Sequence, residues 1–203
     1  MLKSKIPNFL TVIRIILIPI IIYSFYTSSK ITNIIVASLF LGASITDFFD
    51  GYLARALKVQ SNFGRCLDPI ADKLLVAVSL IMLVNFSNQN LMIVIPAIII
   101  ICREIMVSGL REFLATINVG VPVTKLAKWK TAIQMVAITA LLLAGNGSEY
   151  VYNEIMDMVE AEDYVRISLE GVIQNLGEVL LCISAFMTII TGYMYFKIGF
   201  KNF

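Results

Sequence analysis

Apolar and polar positions alternate along the chain in long blocks. Six mostly apolar stretches cover residues 9–26, 34–49, 70–86, 91–114, 127–144 and 176–196. Each approaches the about 20 residues that a bilayer-crossing helix needs. The pattern predicts an all-α integral membrane protein of six transmembrane helices, a single domain over 1–203. The first stretch contains Arg14 and no small-residue cleavage pattern follows it, so it reads as a span and not as a cleaved leader. The longest connection is 145–171. Within it Val151, Ile155, Met158 and Val159 fall at helical spacing, which predicts a short amphipathic helix on the outer surface. No ligand role is assigned to that acidic segment, nor any role to Glu178.

Composition strengthens this picture. Of 203 residues 59% are hydrophobic and 15% charged, with a mean hydropathy of +0.86. A soluble domain carries about 25% charged residues. There are too few here to cover a water-facing surface, so lipid must cover part of it. The charge is also sorted. Six spans put both termini on one side, and that side holds 14 of the 16 basic residues, all but Lys30 and Arg166. The positive-inside rule then places both termini in the cytoplasm. Six acids, Asp47, Asp50, Asp68, Asp72, Glu104 and Glu112, share the basic side, leaving it at +8. The other side has eight acids and stands at −6, so the formal +2 is a cancellation between two faces. The chain has no histidine, which excludes histidine triads and histidine metal sites. Cys66, Cys102 and Cys182 form no CxxC pair and read as small apolar fillers.

The chemistry concentrates between Thr46 and Lys73. Asp47 and Asp50 are three residues apart, Asp68 and Asp72 four apart, and on a helix both spacings share a face. A chain reversal between the pairs brings four carboxylates together at the cytoplasmic edge of two helices. Such a cluster needs compensation. Divalent cations are one source, and with oxygen-only donors hard ions such as Mg²⁺ or Mn²⁺ fit best. Two ions about 4 Å apart would suit phosphoryl chemistry. Ion pairing with Arg55, Arg65 and Lys73 is another source, and carboxylates within membranes also serve cation transporters. Gly51 and Ala54 add a small-residue groove beside the acids, and Arg55 a planar cation. Together they outline a diphosphate site as well as a close helix contact.

Asp47, Asp50, Gly51, Ala54, Arg55, Gly64, Asp68 and Asp72, at these spacings, match the signature of the CDP-alcohol phosphotransferases at every position. Three other segments are similar to the bacterial phosphatidylglycerophosphate synthase branch. They are the run with Asn8, Thr11, Arg14 and Pro19, the run from Arg103 and Glu104 through Ser108 to Arg111 and Glu112, and Lys128, Lys130, Thr131 and Gln134. Ala127 departs from the glycine usual there. The resemblance implies transfer of a phosphatidyl group from CDP-diacylglycerol to sn-glycerol 3-phosphate with release of CMP, in a polar cavity at the cytoplasmic interface. It implies Asp47, Asp50, Asp68 and Asp72 as ligands of two Mg²⁺ or Mn²⁺ ions, with Asp72 also the candidate general base. It implies Gly51, Ala54, Arg55 and Gly64 as the cytidine diphosphate pocket, a homodimer, and the bacterial cytoplasmic (inner) membrane as location.

A phosphorylated acceptor requires cations beyond that signature. Arg111 and Lys130 are the leading candidates, then Arg103, Lys128 and Lys125, against the alternative that they bind lipid head groups as topology charges. Arg103 lies in an apolar run and needs a partner, for which Glu104 and Glu112 are at hand. Asn8, Thr11 and Arg14 are candidate head-group contacts. Arg14 is expected either to snorkel toward the lipid surface or to face the diphosphate. Same-family rivals use other alcohols, as cardiolipin, phosphatidylinositol-phosphate and phosphatidylserine synthases do. A divalent-cation transporter is the rival from another class. No nucleic-acid partner is expected.

Overall fold

The computed structural model describes residues 5–27, 29–57, 62–117, 119, 124–145 and 161–200; the side chains of 5–11, 47–57, 62–66 and 161–168 lie outside that description. All described elements are helices: α1 Lys5–Phe25, α2 Lys30–Leu57, α3 Asn62–Asn85, α4 Leu91–Thr116, α5 Lys125–Ala144 and α6 Ala161–Phe200. Their contacts close a ring in the order α1, α2, α5, α6, α4, α3 and back to α1, with α3 also touching α5 across it. Among the described residues three helices are long and apolar enough to cross a membrane: Leu91–Thr116, Lys125–Ala144 and Leu169–Phe200. Val12–Phe25 and Lys30–Thr46 are shorter apolar helices.

Three helices extend well beyond their apolar blocks. α2 runs to Leu57, past the expected end at 49, so Asp47 to Arg55 continues the same helix. α3 begins at Asn62, eight residues before the expected start at 70. α6 begins at Ala161, inside the expected outer connection 145–171, and is 40 residues long, roughly 60 Å. Hydropathy misses these extensions because charged turns can remain helical once they leave the apolar layer. The amphipathic helix expected around Val151 to Val159 lies outside the described residues.

The polarity of the bundle is inverted. Its centre holds an apolar cluster, including Leu17, Ile21, Phe40, Leu80, Ile100, Ile138 and Leu181. Yet Arg14, Lys130, Gln134, Glu178, Ser184, Thr188 and Thr191 are buried beside it, while Ile16, Ile34, Ile81, Ile98, Phe186 and Tyr193 face outward. A surface of bare isoleucine and phenylalanine with polar groups inside is stable only where the surroundings are apolar. The hydroxyls inside satisfy themselves locally. Ser79, Ser184 and Thr188 each donate to a carbonyl three or four residues back.

Close approach of α5 and α6 occurs at Gly177, where an added Cβ would lie 2.8 Å from Leu141 Cγ and 3.3 Å from its backbone nitrogen. No side chain fits there without moving α5. At the start of α4, Asn90 caps the helix by accepting from Met92 N at 2.9 Å, and its amide donates to Glu178 Oε1 at 2.9 Å. Gln174 donates to the same carboxylate oxygen at 3.1 Å. Glu178, which the sequence left without a role, is thus a buried latch between α4 and α6.

Gly177→Val is expected to lower stability by about 1–3 kcal/mol through overpacking, read as a lower thermal midpoint in detergent. An unchanged midpoint would show that the helix spacing is not set there. Glu178→Ala should cost a similar amount, about 1–3 kcal/mol, by leaving the Asn90 and Gln174 amides unpaired. Its partner Asn90 sits roughly 20 Å along α4 from Arg103, so the change should leave ligand affinities there unchanged.

Candidate active site

The described part of the aspartate cluster is on α3. Asp68 and Asp72 stand one turn apart, with Pro69 between them in the same helix. Arg14 of α1 is 3% exposed and its Nη1 lies 3.4 Å from Asp72 Oδ1. Of its two expected placements the structure therefore has the inward one: Arg14 reaches the aspartates, not the lipid surface. The reason is positional. Arg14 is three residues before Leu17 and seven before Ile21, on the face of α1 that packs inward. The Asp72 side chain remains 37% exposed.

The carboxylates of Asp47 and Asp50, and the side chains of Gly51, Ala54, Arg55 and Gly64 that belong to the expected nucleotide groove, lie outside the described residues, as do those of Asn8 and Thr11. No group of three or more metal-ligating side chains converges among the described residues. The donors present, two carboxylates one turn apart with one of them partly open, fit one wall of an oxygen-ligand site for a hard cation.

Beside Asp72 the chain turns from acid to base. Lys73 donates to Ser108 of α4. One turn back on α4, Glu104 accepts from Lys130 of α5 and, at 3.2 Å, from Arg103 Nη1. Arg103 Nη2 donates to Thr191 of α6 at 3.0 Å. Its guanidinium carbon sits 5.6 Å from the centre of the Tyr195 ring, and that of Arg111 sits 6.0 Å from the same ring, both within cation–π range. The eight-residue spacing of the two arginines does put them on one face. Gly192 makes room, since a Cβ there would meet Arg103 Cγ at 3.3 Å. Four helices thus contribute to one polar cluster in an otherwise apolar bundle. Among the described residues Arg103 Nε, within it, and Gln134 Oε1, one turn beyond Lys130 on α5, are buried with no hydrogen-bond partner, so the cluster retains unused capacity for a polar ligand.

Of the five expected acceptor-site cations, the structure brings Arg103, Arg111 and Lys130 together. Lys130 is 2% exposed, whereas Lys125 and Lys128 are exposed on the first turns of α5. A spacing of two or five residues rotates a side chain well away from the Lys130 face. Glu104 is the partner of Arg103, and Glu112 is exposed. Thr191 and Tyr195 were not foreseen. They lie in a stretch read for hydropathy alone, where the only signal was Thr188, Thr191 and Gly192 interrupting an apolar run.

Comparison with known proteins adds a second line of evidence. Residues 4–190 match the family model described as CDP-alcohol phosphatidyltransferase. A protein of Rickettsia bellii is 46% identical over 202 residues, covering 100% of this chain and 99% of its own, and is named CDP-diacylglycerol–glycerol-3-phosphate 3-phosphatidyltransferase. A protein of the same name from Cereibacter sphaeroides is 40% identical, with 95% of this chain and 94% of its own covered. One from Arabidopsis thaliana, the second of that name, is 40% identical over 72% of this chain and 69% of its own.

Arg14→Gln removes the buried cation beside Asp72 and is expected to destabilise the bundle by about 1–3 kcal/mol. If the contact at 3.4 Å matters, the loss should shrink when Asp72→Asn is already present. Additive losses in that double-mutant cycle would show the two side chains to be independent.

Proposed function

The chain belongs to the CDP-alcohol phosphatidyltransferase family, and we propose that it transfers a phosphatidyl group from CDP-diacylglycerol to the 1-hydroxyl of sn-glycerol 3-phosphate, giving phosphatidylglycerophosphate and CMP. The observation that carries this reading is the end-to-end similarity, 46% identity over 100% of the chain, to a protein named for that activity. The cation cluster next to Asp72 supports it, because this acceptor brings a phosphate that needs buried positive charge.

In this reading Asp47, Asp50, Asp68 and Asp72 would hold two Mg²⁺ or Mn²⁺ ions, and Gly51, Ala54, Arg55 and Gly64 would line the cytidine diphosphate groove. Such ions supply neutralisation of the diphosphate and stabilisation of the departing CMP. The protein's own groups do the rest. Arg14 orients Asp72. The Asp72 carboxylate takes the proton of the acceptor hydroxyl as its oxygen bonds to the phosphorus carrying the diacylglycerol. The bond from that phosphorus to the CMP oxygen breaks, and the electron pair leaves with CMP. Arg103, Arg111 and Lys130 bind the acceptor phosphate and so fix where its hydroxyl sits. The bundle crosses the bacterial cytoplasmic membrane six times as a homodimer, with its termini and this cavity on the cytoplasmic side.

The test is CMP release from CDP-diacylglycerol by the purified chain with Mg²⁺ or Mn²⁺, one alcohol at a time. Glycerol 3-phosphate should support turnover. Turnover with phosphatidylglycerol, inositol phosphate or serine instead would reassign the acceptor, and none with any alcohol would reject the enzyme reading. Asp72→Asn should lower kcat by about 100-fold or more; activity near that of the unaltered protein would exclude Asp72 as the base.

A further inference from the structure

Glu104 is out of place in an anion-binding pocket. Its carboxylate lies between Lys130 and Arg103, two of the charges that would receive a phosphate, and near Lys73. By itself it can only repel such a ligand. Its burial partners explain its presence. Lys130 is 2% exposed in an apolar bundle, and an ammonium there requires a counter-charge to offset its desolvation. Arg103 donates to the same carboxylate oxygen and to Thr191, so its guanidinium is held from two sides. The carboxylate therefore fixes two cations from two helices at one point.

Glu104 also sets the charge of the pocket. Lys73, Arg103 and Lys130 around this one carboxylate leave two positive charges at this point, and Arg111 beyond the Tyr195 ring adds a third. That excess suffices for the dianion of a phosphate monoester and is more than the single charge of a phosphate diester needs. Among the described residues the Arg103 Nε–H has no hydrogen-bond partner and offers such a ligand a donor.

Resting on the acceptor reading above, we propose that Glu104 is the positioning and specificity-determining residue of the acceptor site. It holds Lys130 and Arg103 aimed at one point in the absence of acceptor, and it tunes the pocket to a phosphate monoester. It acts through those cations and does not touch the reacting atoms.

The experiment measures steady-state kinetics of the full chain with Glu104→Gln, Glu104→Asp and Lys130→Met. Glu104→Gln keeps the shape and removes the charge. It is expected to raise KM for glycerol 3-phosphate about ten-fold or more, with KM for CDP-diacylglycerol within two-fold. Glu104→Asp should recover part of that loss, because it restores the charge. Inhibition against glycerol 3-phosphate should also change. Inorganic phosphate should compete better than dimethyl phosphate with the unaltered protein, and the preference should fall in Glu104→Gln. An unchanged or lower acceptor KM in Glu104→Gln would overturn the proposal, by showing that the carboxylate merely repels phosphate. Equal effects on both substrates would overturn it as well. If Lys130→Met leaves the acceptor KM unchanged, the acceptor-site reading fails; if only Lys130→Met raises it, the role of Glu104 fails alone. Should Glu104→Gln not fold, Glu104→Asp decides: a KM effect confined to the acceptor supports the proposal, and none overturns it.

Discussion

A buried ammonium has to be answered by a buried carboxylate, and here that pair joins α4 to α5. Glu104 receives Lys130 from one helix and Arg103 from its own, and Arg103 reaches on to Thr191 of α6. Neither charge could stay in an apolar bundle without the other. The rest of the cluster is arranged around this contact. Lys73 and Ser108 extend it toward α3, and the Tyr195 ring continues it to Arg111. The same network that allows charge inside the bundle gathers cations beside the aspartates.

This arrangement depends on the inverted polarity of the fold. In water, the isoleucines that cover the outside would be the core, and Arg14, Lys130 and Glu178 would be outside. In lipid, apolar burial contributes little to helix association, so packing and internal polar contacts must hold the helices together. Gly177 against Leu141, the Asn90–Glu178–Gln174 latch and the Glu104 cluster are three such contacts, the first two at one level of α6 and the third further along it at Thr191. The latch near the start of α4 and the cluster further along it hold α4 against α6 at two levels, which fixes the register of Arg103 and Arg111 over Tyr195.

Much of this was legible in the chain. The helical class followed from the apolar blocks, and the pairing of Asp68 with Asp72 from a spacing of four. The shared face of Arg103 and Arg111 followed from a spacing of eight. Each is a property of one helix, so local periodicity is enough to see it. The extension of α2 to Leu57 and of α6 back to Ala161 was not visible, because hydropathy reports the apolar layer and not the helix. Glu178 carried no local signal either. Its partners Asn90 and Gln174 lie 88 and four residues away, and only the nearer one shares its helix.

By itself the sequence determined which residues carry chemistry and which face of a helix each occupies, since spacing and residue type decide both. It separated acids from bases along the chain and left carboxylates as the natural bases where histidine is missing. Only the tertiary structure decided which charges meet. Arg14 turned inward to Asp72, Lys130 was chosen over Lys125 and Lys128, and Glu104 over Glu112. Those choices depend on the packing of helices far apart in sequence, where desolvation of each charge selects the partner that can lie within hydrogen-bonding reach.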